Sequence, residues 1–166
     1  KSVKTPGQEA TADSDYIVKT VLRDLVPGTR YFYRGHFGPD AKNTKGGETC
    51  SFRTLAGKTG TKPVSFVVVT GMNYSKYHGG KRKFKGPNPE RVSGFPSVQT
   101  MLSMDLDFFV GTGDNVYYDG KDFFAKEQVD LRRKWHEQFV QQRFVKLFRN
   151  LPTYWEKDDH DHRYND

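Results

Sequence analysis

The sequence predicts an α/β chain: a layered, mostly parallel sheet preceded by part of a small β-sandwich. Three observations lead there. Short apolar runs at 64–69, 106–110 and 151–156 alternate with stretches of helical spacing. Aromatic and β-branched runs precede them at 16–22, 29–34 and 49–54. Between the two sets, residues 56–63 are small, polar and rich in chain breakers, which reads as a linker. The predicted organisation is therefore 1–55 as the C-terminal part of a fibronectin- or immunoglobulin-like sandwich, 56–63 as linker, and 64–166 as the start of a second domain.

The elements follow in order. Residues 1–14 are polar and predict a loose segment. The strands at 16–22 and 29–34 are divided by the turn signal Val26-Pro27-Gly28. The third strand, 49–54, follows a glycine-rich loop at Lys45-Gly46-Gly47. Three short antiparallel strands suit one end of a sandwich. After the linker, 64–69 is a continuous apolar run of the buried-strand kind. A short helix is predicted near 96–104, a second strand at 106–110, and a long helix over 125–149. On that helix Leu131, Trp135 and Phe139 recur every four residues, and so do Val140, Phe144 and Phe148. The third strand is 151–156. The order β-loop-α-β-loop-α-β argues for parallel strands with right-handed crossovers.

Composition narrows the partners. The 166 residues are 34% hydrophobic and 14% aromatic, so the core leans on large rings. A formal net charge of +7 favours phosphate esters, nucleic acid or acidic surfaces, without choosing among them. The single cysteine, Cys50, excludes an intramolecular disulfide and a cysteine zinc cage, and is expected as a buried thiol. No apolar run is long enough to span a membrane. No secretory leader is visible at Lys1, as would also be true of a mature exported protein.

The chemistry sits after the strands. Each apolar run in the second half ends in a polar cluster: Thr70-Gly71-Met72-Asn73-Tyr74, then Gly113-Asp114-Asn115-Val116-Tyr117-Tyr118-Asp119, then Lys157-Asp158-Asp159-His160-Asp161-His162. Open α/β sheets place their sites beyond the carboxyl ends of strands, so the three clusters are expected in one crevice. Gly113 lets the chain turn sharply, and Asp114 then aims a carboxylate that can bridge two hard cations. Asn115 and Tyr117 can add oxygen ligands or orient them. Ordinary turn chemistry also explains Asp-Asn after a strand. The Asp158 to His162 cluster packs three carboxylates and two imidazoles into five residues, and a cation would relieve their repulsion. Imidazole suits zinc and iron; carboxylate suits calcium, magnesium and manganese. A solvated acidic loop is the bland alternative. The loop from Gly79 to Gly86 carries four positive charges around Phe84. It can draw in an anionic substrate or nucleic acid, or simply be solvated. His36 and His78 are expected as structural or exposed, and Arg132-Arg133-Lys134 as the wet face of the long helix.

Together these blocks resemble the PhoD-like alkaline phosphatases of the calcineurin-like metallophosphoesterase superfamily. The resemblance rests on Leu25-Val26-Pro27-Gly28-Thr29-Arg30-Tyr31-Phe32-Tyr33-Arg34 and Ser51-Phe52-Arg53-Thr54-Leu55 for the sandwich. It rests on Gly113-Asp114-Asn115-Val116-Tyr117 and on Lys157-Asp158-Asp159-His160-Asp161 for the catalytic domain. It covers about 21–166 and implies a metallophosphoesterase-like sheet whose members hydrolyse phosphate mono- or diesters with a metal-activated water. By that resemblance Asp114 bridges two metals and Tyr117 ligates iron. Asp159, with Asp158 beside it, ligates metal, and His160 is the catalytic residue at the phosphate or leaving group. Asn73 and Asn115 support substrate or ligands. The implied cofactors are Ca2+ and Fe3+, the substrate a phosphorylated small molecule or phosphodiester, and the location periplasmic or extracellular.

Two departures stand out. Where the family's first motif often carries a metal-binding cysteine, this sequence has Gly71, which has no side chain to bind iron. The chain also stops at Asp166, before the family's later His and Asp ligands, so a fragment or completion by a second chain is expected. Two other functions fit the same sequence: a catalytically degenerate phosphatase-like binding module, and a basic nucleic-acid-binding domain.

Overall fold

The computed structural model describes residues 2–78, 89–120 and 124–162. The chain is mixed α/β, with two sheets. The first is an antiparallel ribbon of β1 (Arg30–Phe37) and β2 (Lys45–Arg53). The second is parallel, in the order β3 (Phe66–Val69), β4 (Phe108–Thr112), β5 (Thr153–Glu156).

The predicted strand at 16–22 is not formed. That stretch is irregular, with Tyr16, Ile17 and Val21 all exposed. β-Propensity reflects fit to a half-buried pleated surface, and among the described residues no strand pairs with this segment, which the Gln8 side chain meets at Lys19 and Thr20. The predicted loop at Lys45-Gly46-Gly47 belongs to β2 instead, paired with the end of β1 beyond a register shift between Arg34 and His36. Cys50 is buried, as expected. The ribbon is tied to the rest of the chain at two places: Arg53 pairs with Asp107 (3.5 Å), and the strands meet the segment after α5. Tyr33 donates its hydroxyl to the Arg149 carbonyl (2.9 Å), and Ser51 N–H reaches Asn150 Oδ1 (3.0 Å).

In the parallel sheet, all three strands run in the same direction, and their carboxyl ends share one edge. Short helices α1 (Tyr74–Tyr77), α2 (Pro89–Val92) and α3 (Pro96–Leu102) lie between β3 and β4. Helices α4 (Gln128–Phe139) and α5 (Gln142–Phe148) lie between β4 and β5. The single helix predicted over 125–149 is thus two. Val140 closes α4, and Gln141 turns extended (φ −60°, ψ 135°) to open α5. The two four-residue stripes differ by one position, and the break lets each find its own seat. Buried Gln141 fixes the corner, with Nε2 on the Gln138 carbonyl and Oε1 against His78.

One face of the sheet carries the core. Phe109 is fully buried there with Val98, Phe144 and Leu147, and Val67 and Val69 pack against them. Trp155 adds an aromatic lattice with Phe109, Phe139 and Phe148, at centroid distances of 5.1–5.5 Å. Lys134, expected on the wet side of α4, is buried instead, as is Gln138 one turn on. These two flank the apolar stripe and point the helix's polar atoms inward. Gln138 Nε2 reaches the Met72 carbonyl (2.9 Å) just beyond β3. Among the described residues no helix is long and apolar enough to cross a membrane.

Candidate metal centre

Beyond the carboxyl edge of the sheet the three post-strand segments meet. Thr70 Oγ1 donates to the Gly113 carbonyl (3.1 Å), and Met72 N–H to the Asp114 carbonyl (3.0 Å). Asn115 Nδ2 donates to the Glu156 carbonyl (2.7 Å), and Tyr118 N–H to the His160 carbonyl (3.1 Å). The expected convergence is therefore present as a hydrogen-bonded lattice.

Gly113 makes the turn out of β4. Its φ is +97°, and a Cβ there would lie 2.4 Å from Asp158 Cβ, so only glycine fits. Asp114 follows at φ +51°, a left-handed conformation that costs a non-glycine residue about 1–2 kcal/mol. The strain aims its carboxylate at the crevice. Oδ2 accepts a hydrogen bond from the Tyr117 hydroxyl (3.0 Å). Oδ1 is buried and has no hydrogen-bond partner among the described residues. An anionic oxygen in that state is costly, and a cation is its natural complement.

The third segment brings the other groups. Asp159, His160 and Asp161 form a short 3-10 helix. Asp158 caps it, accepting from Asp159 N–H at 2.9 Å. Asp161 is 2% exposed and clamps the loop from β4: its carboxylate accepts from Val116 N–H (2.8 Å), Asn115 N–H (3.1 Å) and Asn115 Nδ2 (3.1 Å). Held this way, Asp114, Asp159 and His160 each present a ligand atom, all within 4.8 Å of one another. That group can hold a metal ion, and the orphaned Asp114 oxygen fits the same role.

His160 is oriented by a residue that the sequence reading left without a role. Its Nδ1 lies 2.8 Å from both oxygens of Asp119, leaving Nε2 as the nitrogen free for another partner. The Tyr117 ring lies against the imidazole, 4.3 Å between centroids. Burial raises the Tyr117 pKa above its usual value, and the hydrogen bond to Asp114 and the charge of that carboxylate raise it further; Asn73 opposes them. Tyr117 is thus a neutral phenol donating to Asp114. To act as a phenolate ligand it must first lose that proton. Tyr118 points the other way, accepting from Trp135 Nε1 (2.5 Å), its pKa raised mainly by burial.

Of the sequence-predicted residues, Asp114, Asp159 and His160 come together, and Tyr117 joins through Asp114. Asn73 caps α1 through Lys76 N–H (2.8 Å) and stands beside Tyr117. Asn115 is 1% exposed and braces the two loops, its Oδ1 buried without a partner among the described residues. Asp158 is the helix cap, outside the group of three. Asp119 and Asp161 were missed. Both lie within the acidic runs that drew attention, but sequence gives no way to tell a carboxylate that faces a cation from one that faces backbone N–H groups. Gly71 has φ +70°, and a Cβ there would stand 3.9 Å from the Tyr117 hydroxyl. The basic loop from Gly79 to Gly86 lies outside the described residues. No protein-family model and no curated protein matches the chain.

Proposed function

We propose that this chain carries the first part of a metal-dependent phosphoric ester hydrolase centre of the calcineurin-like, PhoD-like kind, acting on phosphate mono- or diesters outside the cytoplasm. The single observation that supports the reading most is the meeting of Asp114, Asp159 and His160 beyond a parallel sheet. In this reading the sheet is one layer of a metallophosphoesterase-like fold, and the β1–β2 ribbon belongs to a β-sandwich.

Asp114 and Asp159 would hold the cation, with calcium the first candidate. A bound cation supplies two effects here: it makes a water acidic enough to attack at neutral pH, and it neutralises charge on the phosphoryl oxygens. The chain's own residues do the rest. Asp119 keeps a proton on His160 Nδ1 and thereby turns Nε2 toward the phosphate or its leaving group. Tyr117 and Asn73 hold the Asp114 carboxylate in place. Gly71 favours calcium over iron, since that position offers no side-chain donor. It also favours a second reading, a phosphatase-like module that binds anions or partners without turnover.

Metal content by mass spectrometry, with phosphomonoesterase and phosphodiesterase assays after loading with each cation, separates the two. Near-stoichiometric metal and hydrolysis that both disappear in Asp114→Asn support the enzyme. Metal bound without hydrolysis favours the binding module. Metal-free, inactive protein after every loading rules out the metal centre.

A further inference from the structure

Beside the candidate centre, on the covered side of the sheet, runs a cleft of about 210 Å³. Phe95, Val98, Met101, Phe109 and Phe144 form its walls, and Met72 closes one side. All six are apolar and belong to, or pack against, the main core. Protein interiors contain few voids larger than a water molecule, so an open apolar space of this size is unusual packing. It is large enough for one aromatic ring: an apolar cavity of about 150 Å³ stays dry and takes benzene.

The rim gives the cleft its meaning. Thr70 and Gly71 border it, and Ser97 stands at the start of α3. Thr70 is hydrogen-bonded to the residue before Asp114, and Met72 to Asp114 itself. The open side of Gly71 looks toward the Tyr117 hydroxyl. That hydroxyl also donates to Asp114 Oδ2 (3.0 Å), so the rim of the cleft at Gly71 and the carboxylate–imidazole cluster stand on either side of one tyrosine. Sites that bind small molecules combine an apolar wall with few polar groups in this way.

We propose that the cleft seats the apolar group of the ester, a single aromatic ring or a short branched alkyl chain, while the anionic head sits at the carboxylate–imidazole cluster. The proposal rests on the metal-centre reading for its head group and on the cleft alone for its tail. It makes small aryl or alkyl phosphate esters the preferred ligand class, ahead of sugar phosphates, whose hydroxyls the walls cannot satisfy.

Two titrations of the full chain, followed by NMR of its Met and Val methyl groups, test head and tail separately. In the first, phenol is added without metal. Saturable shifts at Met72, Val98 and Met101, with none at the exposed Val129 and Val140, are expected. In the second, phenylphosphonate and methylphosphonate are compared on calcium-loaded protein. The phenyl compound should bind about tenfold tighter or more, from the area its ring buries. Ser97→Phe, at an exposed rim position, should remove both the phenol response and that difference. Met101→Phe serves the same purpose if the first variant does not fold. Absence of saturation by phenol, equal shifts at the control methyls, or equal affinity for the two phosphonates overturns the proposal. Phenol binding with no response to either phosphonate supports the cleft and instead rules out the metal-centre reading.

Discussion

Asp114→Asn should raise the stability of the metal-free protein and lower that of the metal-loaded one. In the metal-free state Asp114 combines three unfavourable features: left-handed backbone, a buried carboxylate oxygen without a partner, and neighbouring acids at Asp158 and Asp159. Asparagine adopts the left-handed region more readily, carries no charge, and keeps a carbonyl oxygen for the Tyr117 hydroxyl. Removing a poorly solvated charge while leaving one amide group unsatisfied gives a net gain of about 1 kcal/mol. Cation binding reverses the order. At one hundred times its dissociation constant a ligand stabilises the native state by about 2.7 kcal/mol, and the variant, lacking the Asp114 charge, should gain little of it. Urea melts followed by the fluorescence of Trp135 and Trp155 provide the assay, in chelator and with each of calcium, manganese and zinc. Both tryptophans lie in the aromatic cluster under the sheet, 6.0 Å apart. The reasoning fails if the variant is less stable in chelator, or if both proteins gain equally from a cation.

Other perturbations separate the parts of the site. Asp119→Asn leaves Asp114 and Asp159 untouched, so metal affinity should change less than threefold while turnover falls about a hundredfold, through loss of the fixed imidazole tautomer; nitrogen NMR of His160 reads the tautomer directly. Asp161→Ala strips the acceptor from three backbone N–H groups, those of Asn115, Val116 and Asp158, and from the Asn115 amide, and should cost about 3–5 kcal/mol in the same urea melts. Gly113→Ala should cost at least about 2 kcal/mol, since its Cβ meets Asp158 in a region of backbone alanine avoids. The native state holds the Tyr117 proton above pH 10, where the unfolded chain releases it, so stability falls as pH rises above 10. Tyr117→Phe should remove that residue's share of the alkaline limb and, by taking the hydrogen bond from Asp114 Oδ2, lower stability by about 1–2 kcal/mol between pH 6 and about 9, as urea midpoints across pH would show.

The parallel sheet was legible because its strands read as continuous apolar runs, although only one face is covered and Phe66, Val68 and Tyr154 are more than half exposed. Val67, Val69 and Phe109 carry that signal. The helix predicted over 125–149 was legible in type but not in number. Spacing records which residues share a face: Leu131, Trp135 and Phe139 kept theirs, and so did Phe144 and Phe148, but Val140 fell at the break before Gln141 and is exposed. The segment 16–22 misled because β-branched and aromatic residues promise a strand only where a neighbour supplies hydrogen bonds. In the site, glycine and acid in sequence foretold the position of Asp114, since a sharp exit from a strand needs Gly113 and the next side chain faces the crevice. The roles of the remaining acids were hidden. Asp158, Asp159 and Asp161 are nearly consecutive, yet one caps a helix, one faces the cation group and one is buried against backbone N–H groups.

That division of labour explains why the cluster is so dense. A 3-10 helix of three residues has little stability of its own, and its direction must be imposed. Asp158 fixes its start and Asp161 fastens its end to the β4 loop, so the two residues between them, Asp159 and His160, gain a defined direction. Asp161 reaches the peptide groups of Asn115 and Val116, immediately after Asp114. The same clamp therefore sets the spacing between Asp114 and its two companions. A metal site whose ligands come from two loops needs such a cross-brace, because neither loop alone can hold a separation to a few tenths of an ångström. The brace and the ligand set can thus be separated by experiment: Asp161→Ala should abolish metal binding although it removes no ligand, whereas Asp158→Ala should only weaken it. Equal loss in both variants would mean that Asp158 binds the cation itself.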